Sequence, residues 1–153
     1  MLLKFSNDEV FAVGAAKYFY RPATAEENTN RIIIPIVVEV DHQILTQAVL
    51  DTGAPYAILD PEIARAAGFT DDLALDRIKM NIRGQRLAGS LTRLNITLQA
   101  TEGDDLTIDT TTFIPDSSSA WGGFPSFLGL AGFLERVRFA IDPNSDTFYF
   151  GSL

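Results

Sequence analysis

Asp51, Thr52, Gly53 and Ala54 are the residues of this chain whose types and order could do chemistry. Two apolar residues, Val49 and Leu50, lead into them at the end of a strand-like run. A second apolar stretch, Ala57-Ile58-Leu59, follows soon after. A carboxylate at the end of a buried strand is costly unless it is paired, hydrogen-bonded or used. Thr supplies a hydroxyl donor, and Gly lets backbone N–H groups approach the carboxylate closely. A carboxyl group so placed can take and return a proton, the work of a general acid or base. Rivals elsewhere are few. His42, the only histidine, stands beside Asp41 in an expected turn and reads as a surface residue. No serine sits in a nucleophile-elbow pattern, so Ser-His-Asp chemistry has no support. The chain has no cysteine, which excludes disulfides and thiolate metal sites.

The elements that must position Asp51 can be read from periodicity. Ile32, Ile34, Ile36, Val38 and Val40 alternate on one face with β-branched side chains, the pattern of a half-buried strand. Asp41-His42 mark a turn, and Ile44 to Leu50 return as the second strand of a hairpin that delivers Asp51 to its end. A short helix is expected after Leu59, with Asp60 as its cap, Pro61 in its first position and Gly68 at its end. A second hairpin runs from Ile78 to Leu98, with Arg83-Gly84-Gln85-Arg86 near its tip. Gly103-Asp104-Asp105 mark a further turn into a Thr-rich strand, Leu106 to Ile114. Residues 115–126 read as a Pro-, Ser- and Gly-rich loop around Trp121. Phe127-Leu128-Gly129-Leu130 then leads to a helix expected near Gly132 to Val137. A last hairpin pairs Arg138 to Asp142 with Thr147 to Phe150. The fold class is mostly β, with about eight short strands and two short helices.

Size and charge bound the remaining possibilities. With 153 residues, 46% of them hydrophobic, the chain can bury one sizeable core, and residues 1–153 read as a single domain. A net charge of −8 argues against nucleic acid or an anionic membrane surface as the main partner. No apolar run approaches the roughly 20 residues that span a bilayer. The start, Met1-Leu2-Leu3-Lys4-Phe5, turns polar at Ser6-Asn7-Asp8-Glu9 and lacks the apolar centre of a signal peptide. The expected location is cytoplasmic.

In the order of these features the chain resembles the retroviral-type aspartic proteases, the retropepsin-like family. A hairpin ends in Val49-Leu50-Asp51-Thr52-Gly53-Ala54. A hairpin with a glycine near its tip follows in the place of the family's flap. The step Phe127-Leu128-Gly129 then leads into Phe133-Leu134-Glu135-Arg136. The resemblance covers roughly residues 32–150, leaving residues 1–30 as an N-terminal extension. It implies an acid-protease β-barrel and peptide hydrolysis by an activated water, with no cofactor and no metal. It also implies a partner. The chemistry needs two carboxyl groups sharing one proton, and this chain has one Asp-Thr-Gly. The resemblance therefore implies a homodimer whose two-fold axis passes between two copies of Asp51.

By the same resemblance Asp51 is the catalytic residue and Thr52, Gly53 and Ala54 support it. Thr52 would hydrogen-bond across the dimer axis, and Gly53 would let the backbone approach the carboxylates. Ile82, Arg83, Gly84 and Gln85 would be the flap that covers a peptide or protein substrate. Ala54 lacks the hydroxyl that Ser or Thr would offer the carboxylate in related enzymes, and Pro55-Tyr56 depart from the viral pattern. Arg77, Lys79, Arg83, Arg86 and Arg93 concentrate basic charge on the second hairpin, as a solvated face or as an attraction for acidic partners. Trp121, Phe124 and Phe127 have two readings, cleft lining and core packing. Phe148-Tyr149-Phe150 is a core strand or, the preferred reading, a dimer interface. The alternative to an endopeptidase is a retropepsin-like module that dimerises or binds peptides without cleaving them.

Overall fold

The alternating run after residue 30 forms the first strand of a hairpin. A computed structural model describes residues 2–153. In it, strand β3 (Arg31–Glu39) pairs antiparallel with β4 (Gln43–Leu50), with Ile33 opposite Val49. Ile34, Ile36 and Val38 point into the main core, and Ile32 and Val40 pack at its margin. The intervening Ile33 points the other way, into a second cluster with Val49, Ala54, Ile58, Phe113 and Phe127. Both faces of β3 are therefore apolar, as expected of a strand covered on two sides.

Twelve strands, two α-helices and two 3-10 turns make up the described residues, so the mostly-β reading holds. The strands before the first hairpin are β1 (Gly14–Lys17) and β2 (Phe19–Arg21). Those after it are β5 (Ala57–Ile58), β6 (Asp76–Ile82), β7 (Gln85–Leu98), β8 (Glu102–Gly103), β9 (Leu106–Pro115), β10 (Ser126–Leu128), β11 (Val137–Asp142) and β12 (Thr147–Ser152). Six of them close into a ring. β4 pairs with β10, β10 with β5, β5 with β9 and β9 with β7, and β7 returns to β3. Closure leaves no free edge within the ring. Edge strands β2 and β6 lie outside it. A second sheet, in the order β11-β12-β1-β8, packs against the main core through Phe148 and Phe150.

The first helix, α1 (Pro61–Ala66), forms where its cap signals place it. The Asp60 carboxylate accepts the Glu62 N–H at 2.8 Å, and Gly68 turns the chain with φ of 106°. The second helix differs from expectation. Leu134–Arg136 makes only a 3-10 turn, because β11 starts directly after it. A short helix, α2 (Ser118–Trp121), lies instead in the segment expected to be a loop, capped by Ser117 accepting the Ala120 N–H. The aromatic end of the chain also departs from its preferred reading. Phe148 and Phe150 are wholly buried within their own chain, so they belong to the core.

Candidate active site

Asp51 follows β4 directly, at the point where that strand must leave the ring. Its backbone N–H donates to the Leu128 carbonyl at 3.0 Å, continuing the parallel ladder between β4 and β10. The chain then turns back on itself. The Gly53 N–H donates to Asp51 Oδ1 at 2.9 Å, and the Ala54 N–H donates to the Asp51 carbonyl at 3.1 Å. The turn is clamped from below. Leu130 N–H donates to Ala54 O and Ala131 N–H to Pro55 O, both at 2.8 Å. Gly129 makes this approach possible, since a Cβ there would stand 1.9 Å from the Tyr56 oxygen. The late Phe-Leu-Gly step thus crosses directly under the Asp51 turn.

The four residues of the motif differ in exposure. Ala54 is buried, Asp51 is half-buried, and Thr52 and Gly53 are exposed. The Thr52 hydroxyl has no partner among the described residues of its own chain. Among the described residues the Asp51 carboxylate accepts one hydrogen bond, from Gly53, and the Ala54 side chain offers no second donor. His42 stands exposed on the β3–β4 turn, away from this site, with its N–H on the Ala67 carbonyl.

The tip of the β6–β7 hairpin lines one cavity with this carboxylate. Ile82 and Gln85 pair, leaving Arg83 and Gly84 as a two-residue turn with φ of 53° and 77°. Positive φ at both central residues is the turn that matches strand twist. Ile82 and Arg83 line a cavity of about 170 Å³ together with Asp51, Ala54, Asn81 and Phe127. Gly84 and Gln85, expected alongside them, do not line it. Gly84 is surrounded by open space, and Gln85 faces a smaller hollow beside Trp121. Of the four expected tip residues, two therefore share a cavity with the carboxylate.

Arg83 also ties the tip to the segment around α2. Its Nη1 donates to the Trp121 carbonyl at 3.0 Å, and its guanidinium carbon lies 3.9 Å over the Phe124 ring. Trp121, Phe124 and Phe127 stack edge-on and face-on with one another under the cleft. Both readings of these aromatics apply: they are buried, and Phe124 and Phe127 still present an edge to a cavity. The hairpin root is held by Arg77, whose guanidinium grips both oxygens of Asp116 and donates to Ser90 Oγ at 2.9 Å. That hydrogen-bonded pairing lowers the Asp116 carboxyl below its ordinary value. Arg93 is matched in the same way by Asp109. Part of the basic charge on this hairpin is therefore neutralised within the chain.

Residues 23–27, within the N-terminal extension, form a wall. Ala23, Thr24 and Glu27 line a cavity of about 620 Å³ with Arg83, Gly123 and Phe124. The hydrogen bonds of this loop are local, from Ala23 N–H and Arg31 to the Glu27 carboxylate and from Glu27 N–H to the Thr24 carbonyl, while Ala23 packs at the margin of the second cluster. Among the described residues no three His, Asp or Glu side chains converge as a metal site would require. No described helix is long and apolar enough to cross a membrane.

No protein-family model matches the chain, and no curated protein is significantly similar to it. A solved structure is. The crystal structure of a retropepsin-like aspartic protease from Rickettsia conorii superposes with a TM-score of 0.56. The match covers 92% of this chain and 94% of that one at 20% identity. The fold is retropepsin-like. In the retropepsin-like barrel of this chain, the Asp51 turn and the Gly129 crossing lie at one end of the ring, under the β6–β7 tip. At such identity the likeness concerns backbone architecture, and the chemistry rests on the residues themselves.

Proposed function

We propose that this chain is one half of an aspartic endopeptidase, with Asp51 from each of two copies forming the catalytic dyad. The observation that carries the reading is the half-buried Asp51 carboxylate on the wall of a cavity under Ile82 and Arg83. Gly53 N–H holds one of its oxygens, and Thr52 is exposed beside it with its hydroxyl free for a second copy. The β6–β7 hairpin serves as the flap, and an extended peptide lies beneath it, pairing its backbone in strand fashion.

Two carboxyl groups that close share one proton, since both cannot ionise easily. The ionised carboxyl takes a proton from a water held between the pair. The water oxygen attacks the scissile carbonyl carbon while the protonated carboxyl gives its proton to the carbonyl oxygen. The resulting diol then collapses: one of its hydroxyls gives its proton to the ionised carboxyl, the C–N bond breaks, and the departing amine takes the proton of the other carboxyl. The dyad ends with one shared proton, as it began, and titrates as a unit.

The test is a peptide-library digest with wild type and Asp51→Asn, with a pepstatin-type inhibitor as control. Cleavage by wild type that vanishes in Asp51→Asn supports the reading. Cleavage that survives the substitution overturns it. A folded protein that binds peptides and cuts none would be the non-cleaving module instead.

A further inference from the structure

The flap tip carries an arginine where the turn would more readily take another residue. Its φ of 53° lies in the left-handed region, where Asn, Asp or Gly are favoured. The side chain has no ion-pair partner among the described residues, unlike Arg77 and Arg93 on the same hairpin. It is also held in one orientation. The Trp121 carbonyl takes one N–H, and the Phe124 ring supports one face of the guanidinium. Arg has five N–H donors in a planar fork, so further donors remain available.

Arg83 touches both cavities of the site. It lines the pocket of about 170 Å³ that contains Asp51. It also lines the neighbouring cavity of about 620 Å³ walled by residues 23–27. A peptide running from Asp51 into the larger cavity passes it. The opposing acids are weak competitors. Glu27 is already engaged by Arg31 at 3.2 Å and by the Ala23 N–H at 3.3 Å. Glu26 is exposed to solvent, where its charge is screened. Asp51, if paired as proposed, shares one negative charge between two carboxyls.

We infer that Arg83 is a specificity-determining residue that receives an acidic substrate side chain beside the scissile bond. This rests on the proteolytic reading of the same site. A guanidinium fixed in advance matches a carboxylate through two parallel hydrogen bonds, at low ordering cost. A neutral amide of the same shape forfeits the charge-assisted part.

The experiment uses peptide pairs that differ only by Glu against Gln at each position flanking the cleaved bond. Wild type should prefer Glu at one position by about tenfold in kcat/KM, the worth of one charge-assisted contact. Arg83→Asn suits the left-handed turn and should bring that ratio near one. Arg83→Lys should keep the sign of the preference at reduced size, and Arg83→Glu should reverse it in favour of Lys. Equal treatment of Glu and Gln by wild type, or a ratio unchanged in Arg83→Asn, overturns the inference. Calorimetric binding of the same peptides to Asp51→Asn, with and without Arg83→Asn, separates the two readings. A Glu preference in binding that depends on Arg83, without cleavage by wild type, sustains Arg83 recognition and refutes the protease. Cleavage that needs Asp51 but ignores Glu sustains the protease and refutes the role of Arg83.

Discussion

Gly129→Ala should damage the fold and the site together, and the damage can be estimated from contacts. A methyl group there would stand 1.9 Å from Tyr56 O, 2.5 Å from its carbonyl carbon and 2.7 Å from Ala54 O. Ordinary contact for such a carbon begins at 3.4 Å. The obstacles are backbone atoms, so no rotamer change relieves them. The crossing strand and the Asp51 turn must separate, and the bonds from Leu130 to Ala54 and from Ala131 to Pro55 lie at that seam. Losing two hydrogen bonds costs about 2 kcal/mol. Overpacking adds about 1–3 kcal/mol. A total near 3–5 kcal/mol corresponds to a fall in Tm of about 10 °C for a domain of this size. Urea unfolding followed by circular dichroism measures it, with Gly123→Ala as the control. A Cβ on Gly123 meets nothing within 4 Å, and its substitution should change stability by less than about 0.5 kcal/mol. Peptide cleavage by Gly129→Ala, measured well below its Tm, should fall about a hundredfold, since a displacement of about 1 Å at a reacting group has that effect. A variant that unfolds within about 0.5 kcal/mol of wild type would refute the view that this crossing holds the turn.

Three further outcomes are expected. Thr112 is wholly buried and its hydroxyl has no hydrogen-bond partner, so Thr112→Val should raise stability by about 1 kcal/mol in urea titration. Asp116 has its carboxyl lowered in the folded state by the hydrogen-bonded Arg77. Its contribution is therefore present above the ordinary value of 3.8 and is lost as pH falls through the lowered one. Asp116→Asn should flatten the acid limb of the stability profile below that value, by a small amount because the pair is partly exposed. Finally, mixing wild type with an equal amount of Asp51→Asn should, after subunit exchange, reduce cleavage per wild-type chain to about half, because mixed dimers lack one carboxyl. Activity that simply tracks the amount of wild type would count against a dyad shared between copies.

Local signals made much of this fold legible. The β3–β4 hairpin was readable because β-branched residues alternate over its whole length. The helix after Leu59 was readable because Asp60, Pro61 and Gly68 each have a positional preference with a physical cause. The β6–β7 hairpin was readable from its alternation, and its tip fell within the four residues expected there. What stayed hidden depends on pairing across long stretches of chain. Nothing local in Ser126–Leu128 shows that it lies parallel to β4, or that β7 closes the ring on β3. The short helix α2 was missed because Ser, Gly and Pro dominate its surroundings. Its Ser117 cap and the buried Trp121 stabilise it all the same. The aromatic end was misjudged for a related reason. Alternating Phe148 and Phe150 fit a core strand and an interface strand equally well until β1 and β11 are seen to flank β12 on both sides.

For the candidate site, the type of residue was legible and its surroundings were not. Asp51 announces itself because a carboxylate at a strand end needs a reason. Its actual restraint comes from Gly53 in its own turn and from Leu128, Leu130 and Ala131 crossing beneath. The residues that line the two cavities at the tip are more scattered still. They come from the tip at Arg83, the aromatic segment at Phe124 and the early loop at residues 23–27. These three segments are joined through one side chain, since the Arg83 guanidinium packs on Phe124 while lining the cavity that the early loop walls. The early loop is thus a place where substrate preference could be altered without touching the Asp51 turn, because it shares a cavity with the tip and none with the carboxylate.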